Sequence, residues 1–291
     1  MEFLRPATWD EALAAKAAHP SAVPIAGGTD VMVDLNFDRL RPDVLIDLSL
    51  VPELRDHEVG DGVVRLGASV PYTRVIDDLA GRLPGLALAA RTIGSPQIRN
   101  RGGVGGNLGS ASPAGDAHPA LLASGARVEV GSAGRGARMI PIDDFFRGVK
   151  RNALEPDELI RTVHIPSATG PQQFAKIGTR NAMVIAVCSF AVGLHPATGA
   201  VRTGLGSVAP TPVRAPAAEE FLAAELGDAG LWASRGRLAE AAVRRFGALV
   251  AEAAAPIDDV RGSAAYRRHA LAVMARRTLA WAWDDYRRAA A

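Results

Sequence analysis

Two glycine-rich segments have residue types and spacing that could do chemistry. The first, Ala26-Gly27-Gly28-Thr29-Asp30, ends a strand-like run at residues 22–26 and precedes residues 30–35, which can open a helix. Backbone N–H groups converge where a strand turns into a helix, and such a nest of donors binds phosphate. An ordinary tight turn would have the same composition. The local pattern therefore leaves a phosphate site and a plain turn both open.

The second segment, residues 92–116, contains seven glycines in 25 residues, including Gly102-Gly103-Val104-Gly105-Gly106-Asn107. Glycine loses the most conformational entropy on ordering, so it concentrates where the backbone must approach something closely or adopt positive φ. A flexible surface loop is the alternative, but such loops seldom hold apolar residues like Ile98 and Leu108 among their glycines. The segment predicts a pyrophosphate site.

Familiar nucleotide-binding and catalytic motifs are absent from the sequence. The near match at Gly103-Val104-Gly105 has Leu108 where the Rossmann fingerprint needs glycine, and no Gly-Lys pair forms a Walker loop. Neither Gly-x-Ser-x-Gly nor His-Glu-x-x-His occurs. The sequence gives no support to a hydrolase or a metalloprotease, and we assign no catalytic residue.

Composition argues against several further classes of function. The formal charge is +2, from 33 Lys+Arg and 31 Asp+Glu, and the basic residues are scattered, so nucleic acid binding has little support. The six histidines lie far apart without metal-ligand spacing, so we expect no metal site. The single cysteine, Cys188, excludes an iron–sulfur cluster held by several cysteines of this chain, and we expect it to pack in the core.

We expect a cytoplasmic protein without a membrane span. No stretch approaches the roughly 20 apolar residues that a span requires, and the N-terminus does not look like a secretory leader. It runs instead into a capping box at Thr8 and Glu11, which predicts a helix to about residue 18.

The element pattern predicts an α+β protein of three units. Residues 1–56 form a small βαβ-like unit, and residues 57–167 begin with a hairpin turning at Gly60-Asp61-Gly62. The turn-rich stretch at residues 166–173 marks the boundary to residues 168–291. There, strands at residues 174–177, 183–194 and 201–208 precede helices at residues 217–226, 231–253 and 264–289.

The sequence resembles the FAD-binding (medium) subunits of the molybdenum hydroxylases, the family of carbon monoxide dehydrogenase and xanthine dehydrogenase. The first glycine segment carries the match, as does Ser95-Pro96-Gln97-Ile98-Arg99-Asn100 leading through Gly105-Gly106-Asn107-Leu108 to Ala111-Ser112-Pro113-Ala114-Gly115-Asp116. Leu154-Glu155-Pro156-Asp157-Glu158-Leu159-Ile160 and Arg261-Gly262-Ser263-Ala264-Ala265-Tyr266-Arg267 extend it along essentially the whole chain.

The resemblance implies a vanillyl-alcohol-oxidase/PCMH-like FAD-binding fold: two N-terminal α/β subdomains and a C-terminal α+β domain like that of the carbon monoxide dehydrogenase flavoprotein. FAD would be held non-covalently. Family likeness places Asp116 and Ile93 at the adenosine portion, and Ile160 and Lys176 at the flavin ring. The expected cofactor-binding residues are Ile25, Ala26, Gly27, Gly28, Thr29, Asp30, Val31, Ile93, Gly103, Val104, Gly105, Gly106, Asn107, Asp116, Ile160 and Lys176.

The chain also departs from particular members of the family. Carbon monoxide dehydrogenases read Gly-Gly-His-Ser at the first turn and place a tyrosine near the flavin, where this chain has Thr29-Asp30 and Val184. The 4-hydroxybenzoyl-CoA reductase flavoproteins add a cysteine-rich cluster loop, which one cysteine cannot reproduce. These differences argue against assigning the chain to carbon monoxide dehydrogenase or to 4-hydroxybenzoyl-CoA reductase in particular.

The expected function is that of an oxidoreductase subunit. By resemblance, its FAD relays electrons from a [2Fe–2S] small subunit to an external acceptor, while a molybdenum-cofactor large subunit hydroxylates the substrate; the complex is expected to be a dimer of heterotrimers. Two alternatives stay open: a free-standing FAD-dependent oxidoreductase of the same fold, and a non-enzymatic nucleotide-binding assembly module. The substrate and the terminal acceptor cannot be read from this chain.

Overall fold

The structure, a computed structural model, describes residues 1–289 and is α+β, as the sequence predicts. The strands are β1 (Glu2–Leu4), β2 (Val23–Ile25), β3 (Val44–Asp47), β4 (His57–Val59), β5 (Val63–Gly67), β6 (Arg127–Ser132), β7 (Gly136–Pro141), β8 (Phe146–Gly148), β9 (Arg151–Asn152), β10 (Leu159–Pro166), β11 (Gln172–Ile177), β12 (Cys188–His195) and β13 (Ala200–Gly206). The helices are α1 (Trp9–Ala18), α2 (Val31–Asn36), α3 (Tyr72–Asp78), α4 (Pro84–Arg91), α5 (Pro96–Arg99), α6 (Val104–Ser110), α7 (Ala117–Ser124), α8 (Pro216–Asp228), α9 (Leu231–Ser234), α10 (Glu240–Glu252) and α11 (Ala264–Arg288).

The first sheet is parallel and has the strand order β1-β3-β2. Helix α1 begins as predicted, because the Thr8 hydroxyl accepts a hydrogen bond from the backbone N–H of Glu11 at 3.2 Å. Strand β1 was not predicted from the sequence, since three residues are too few to show an alternating pattern. The first glycine turn follows β2 directly.

The second sheet is antiparallel, with the strand order β4-β5-β10-β6-β7. The predicted hairpin is confirmed as β4 and β5, and Gly62 in its turn has a φ of 76°. The second glycine-rich segment lies between α4 and α7 and contains the short helices α5 and α6. An isolated bridge from Pro71 to Gly103 joins this segment to the loop after β5.

The third sheet is antiparallel, β11-β12-β13, and the last helices pack on it. The predicted strand at residues 183–194 begins too early, because Met183 has a φ of 51° and β12 starts only at Cys188. The predicted helix at residues 231–253 is two helices. Arg235 interrupts it with a φ of 51°, and Trp283 of α11 holds the break by donating to the carbonyl oxygen of Gly236 at 2.8 Å.

Two hydrophobic cores lie under these sheets, and residues beyond position 167 contribute to the first of them. Phe174 of β11 packs in the N-terminal core. A Cβ atom on Gly204 of β13 would overlap the carbonyl oxygen of Pro119 in α7, so strand and helix are in close contact. Cys188 is fully buried in the C-terminal core, as expected, and burial raises the pKa of its thiol to about 12. Within residues 1–289, no helix combines the length and apolarity needed to cross a membrane.

Candidate functional site

The two glycine-rich turns contact each other directly. A Cβ atom on Gly27 would overlap the carbonyl oxygen of Arg101, and one on Gly102 would lie 3.2 Å from the hydroxyl oxygen of Thr29. Only glycine lets the first turn approach the backbone of the second this closely. The structure therefore brings together two segments that are about 75 residues apart in sequence.

The second turn rests on the loop that leads from β5 to α3. Its backbone is fixed there, because Gly105 donates to the carbonyl oxygen of Ala68 at 3.1 Å and Tyr72 donates to that of Gly102 at 3.0 Å. A Cβ atom on Gly103 would overlap the carbonyl oxygen of Val70, and one on Gly105 would overlap that of Ala68. Gly103 and Gly105 are thus required by packing within the protein.

Gly106 has a different environment. A Cβ atom at this position would meet no atom within 4 Å, and the residue is exposed at the first turn of α6. Gly28 of the first turn has a φ of 76°, a left-handed conformation that side chains disfavour. The open side of Gly106 is where a ligand can approach the backbone of the second turn.

Several buried polar atoms near the turns have no hydrogen-bond partner within the part of the chain described. They include the Tyr72 hydroxyl, Asn107 Oδ1 and Asp116 Oδ1. Buried polar groups are nearly always paired, so such atoms call for a partner outside the protein chain, either water or a ligand. A dinucleotide fits this set, because its phosphates accept hydrogen bonds and its hydroxyl groups donate them.

Asp116 forms a nearly buried ion pair with Lys176 of β11. Lys176 Nζ lies 2.6 Å from Asp116 Oδ2 and also donates to the carbonyl oxygen of Thr92 at 3.2 Å. Burial raises the pKa of Asp116 to about 6, although the Lys176 charge acts to lower it. The pair connects the end of the glycine-rich segment to the third sheet.

This ion pair bears on the expectation that Asp116 contacts adenosine and Lys176 the flavin ring. Adenosine and flavin are the opposite ends of FAD, whereas Lys176 Nζ and Asp116 Oδ2 lie only 2.6 Å apart. The contact of Asp116 with adenosine and that of Lys176 with the flavin ring both stay predictions. Ile93 belongs to the same region, since its neighbour Thr92 bonds to Lys176.

A cavity of about 370 Å³ opens beside Lys176. It lies between the loop and helix that follow α4 and the loop that follows β11, with Thr92, Arg99 and Lys176 in its wall. Arg99 fixes the α4–α5 loop, because its guanidinium donates to the carbonyl oxygens of Ile93 and Gly94 at 3.0 and 3.1 Å. Val184 also lines the cavity, on the opposite loop.

The remaining expected residues lie in several environments. Ile25 ends β2, Ala26 packs against the N-terminal core, Asp30 is exposed, and Val31 begins α2. The side chains of Val104 and Ile160 are buried in the N-terminal core. Val104 can therefore offer a ligand its backbone only, and Ile160 as a flavin contact stays a prediction.

Tyr72, at the start of α3, was missed from the sequence as a possible site residue. The sequence indicates only a helix there, because nothing in Val70-Pro71-Tyr72 differs from an ordinary helix start. Its place beside Gly102 depends on the packing of distant residues. The sequence offers one signal for this residue, which is that a tyrosine follows a predicted turn.

Fold and site together define the class of protein. The model of the FAD binding domain in molybdopterin dehydrogenase matches residues 1–168, and that of the CO dehydrogenase flavoprotein C-terminal domain matches residues 173–282. The chain belongs to this family of FAD-binding oxidoreductase subunits, and its cofactor is FAD.

Its relatives include two curated proteins. The nicotine 6-hydroxylase medium subunit of Paenarthrobacter nicotinovorans is 34% identical over 286 residues, 96% of each chain. The xanthine dehydrogenase FAD-binding subunit of Escherichia coli O157:H7 is 33% identical over 228 residues, which cover 75% of this chain and 77% of that protein. Among solved structures, a chain of carbon monoxide dehydrogenase from Hydrogenophaga pseudoflava superposes with a TM-score of 0.87 at 29% identity, over 98% of both chains.

Proposed function

We propose that this chain is the electron-transferring FAD subunit of a molybdenum-containing hydroxylase or dehydrogenase. In this proposal it takes electrons from a [2Fe–2S] small subunit and delivers them to an external acceptor, beside a molybdenum-cofactor large subunit, in a dimer of heterotrimers. The relatives support the subunit role, since one is a medium subunit and another an FAD-binding subunit. The single observation that carries the FAD site is the contact of two glycine turns that leaves Gly106 open.

The protein's own part is to bind and orient the cofactor. Bound FAD supplies the exchange of electrons, which no side chain of the chain could supply. Backbone N–H groups of residues 27–30 and of Gly103 and Gly106 would donate to the pyrophosphate oxygens, and bonds to charged acceptors are about twice as strong as neutral ones. Asn107 Oδ1 and Asp116 Oδ1 would accept from hydroxyl or ring N–H groups. The full set of sixteen residues expected from the sequence stands as our proposed binding site.

We also propose that the predicted units 1–56, 57–167 and 168–291 are the structural divisions of the molecule. Each contains one of the three larger sheets, which supports the division. The cofactor-binding backbone then belongs to the first two units, and Lys176 brings the third unit to the site.

The first test substitutes Gly106 by valine. We expect a soluble protein that lacks flavin, because the side chain meets no protein atom and would occupy the space above the turn. The measurement is the visible spectrum at about 450 nm of the purified protein, with released FAD quantified after denaturation. Gly109→Val is the matched control, since it lies on the same helix and is also open. Full flavin content in Gly106→Val would refute the phosphate assignment.

A second experiment tests the subunit role. The tagged chain is co-expressed with its neighbouring reading frames, and the purified complex is examined by native mass spectrometry and visible spectroscopy. We expect two further chains, FAD and an iron–sulfur spectrum, at twice the mass of one heterotrimer. Substrate turnover by the chain alone would contradict the proposal in favour of a free-standing enzyme.

A further inference from the structure

Within residues 1–289, which include all three tyrosines, Tyr72 is the only one whose hydroxyl group is buried without a partner. The residue is 2% exposed, so bulk water does not reach the hydroxyl. Among the residues that the structure describes, Tyr286 is the other buried tyrosine, and its hydroxyl donates to the carbonyl oxygen of Trp232 at 2.8 Å. A buried hydroxyl without a partner destabilises a protein, so Tyr72 needs an explanation that Tyr286 does not.

The position of Tyr72 supplies that explanation. Its backbone N–H donates to the carbonyl oxygen of Gly102, and its neighbour Pro71 bridges to Gly103, so the residue is fixed against the second glycine turn. Neither Asp116 nor Asp30 bonds to the hydroxyl. Tyr72 therefore lies against the second glycine turn, whose Gly102 closely approaches Thr29 of the first turn.

We propose that the Tyr72 hydroxyl is a pyrophosphate-binding group of the cofactor site, donating a hydrogen bond to an oxygen of the FAD diphosphate. The second turn, beside Tyr72, and the first turn, which contacts it, offer backbone donors, and the group at which such donors converge is an anion. A phenol can add one more donor to that anion. This proposal rests on the proposed FAD site and adds to it a side chain that the glycine motifs do not contain.

The protonation state of Tyr72 suits this role. Burial and the two neighbouring carboxylates, Asp116 and Asp30, raise the pKa of the phenol well above its ordinary value. The raised pKa favours the protonated phenol, which is a hydrogen-bond donor. A deprotonated phenolate would repel the diphosphate.

The test is Tyr72→Phe, which removes the hydroxyl and keeps the ring. The flavin-free variant should be as stable as the wild type or more stable, because an unpaired buried hydroxyl is lost. Its dissociation constant for FAD, measured by fluorescence quenching, should rise by about tenfold or more, since a hydrogen bond to a charged group is lost. A structural hydroxyl would give the reverse pattern: lower stability and unchanged affinity.

Tyr286→Phe is the matched control. It removes a buried hydroxyl that has a protein partner, so stability should fall while FAD affinity stays the same. The wild-type protein must bind FAD in the same assay. If it does not, the FAD site itself is refuted. If it does, and Tyr72→Phe binds equally well, only the role of Tyr72 is refuted.

ADP and adenosine as competitors identify the part of the cofactor that Tyr72 contacts. ADP contains the diphosphate and adenosine does not. If the hydroxyl binds the diphosphate, Tyr72→Phe weakens the binding of ADP by about the same factor as that of FAD. The binding of adenosine then stays unchanged. If FAD binds more weakly to the variant while ADP binds as tightly as to the wild type, the diphosphate assignment is overturned. The hydroxyl would then contact the flavin half of the cofactor.

Discussion

The glycines of the two turns differ in what surrounds the position of an added Cβ atom. At Gly27, Gly103 and Gly105 the atom would overlap the backbone of another segment, whereas at Gly106 and Gly109 it would meet nothing within 4 Å. The first group shapes the site by packing, and Gly106 leaves room for a ligand. The sequence predicts that the glycines shape a binding site. It cannot show which of them are required by packing and which leave room for a ligand, because the atoms they contact belong to residues far away in the chain.

Gly27→Ala should separate the two turns. The added methyl group overlaps the carbonyl oxygen of Arg101, and overpacking of this kind costs about 1–3 kcal/mol of unfolding free energy. We expect the variant to lose that stability in urea unfolding and to bind FAD more weakly. Gly109→Ala is the control, since it adds a methyl group to open space in a helix and should leave stability equal or slightly higher. A Gly27→Ala protein with wild-type stability would show that the turns can move apart freely.

At the scale of elements, the polar link between β13 and α8 is centred on a buried carboxylate. Glu219 of α8 accepts from the backbone N–H and the hydroxyl of Thr203, both at 2.7 Å, and forms an ion pair with Arg214. Arg202 and Arg214 also reach Asp143, which lies in the middle unit. The helix α8 was predictable from its composition, but this network was not, because its members come from four separate stretches of sequence.

Glu219→Ala should destabilise the protein by about 3 kcal/mol. The substitution leaves the backbone N–H of Thr203 and the guanidinium of Arg214 without their partner in a buried setting, and breaking a buried pair from one side is costly. The free energy of unfolding from urea titration measures the effect. Glu240→Ala removes an exposed ion pair with Arg244 on α10 and should change stability by less than about 0.5 kcal/mol. Equal effects in the two variants would contradict the structural role of Glu219.

For the whole molecule, the sequence predicts three units and their order, because hydrophobic periodicity and turn residues are local signals. Their packing is not local. Phe174 lies beyond the predicted boundary but packs in the N-terminal core, and Lys176 crosses the same boundary to reach Asp116. The separate family resemblance assigned Asp116 and Lys176 to the site, yet spacing alone could not show that the two groups form one ion pair.

The Asp116–Lys176 pair predicts how the stability of the flavin-free protein depends on pH. Burial raises the pKa of Asp116 from 3.8 to about 6, so the folded protein binds this proton more tightly than the unfolded chain does. The resulting stabilisation is fully present below about pH 4 and is lost as the pH rises through 6. The difference between the two pKa values is worth about 3 kcal/mol of unfolding free energy.

Urea unfolding of the wild type and of Asp116→Asn between pH 4 and 8 isolates this contribution, because the other titrating groups are common to both proteins. The stability of the wild type relative to the variant should fall by about 3 kcal/mol across that range, mostly between pH 4 and 6. A relative stability that stays constant with pH would mean that Asp116 keeps its ordinary pKa. The ion pair would then be exposed to solvent rather than nearly buried.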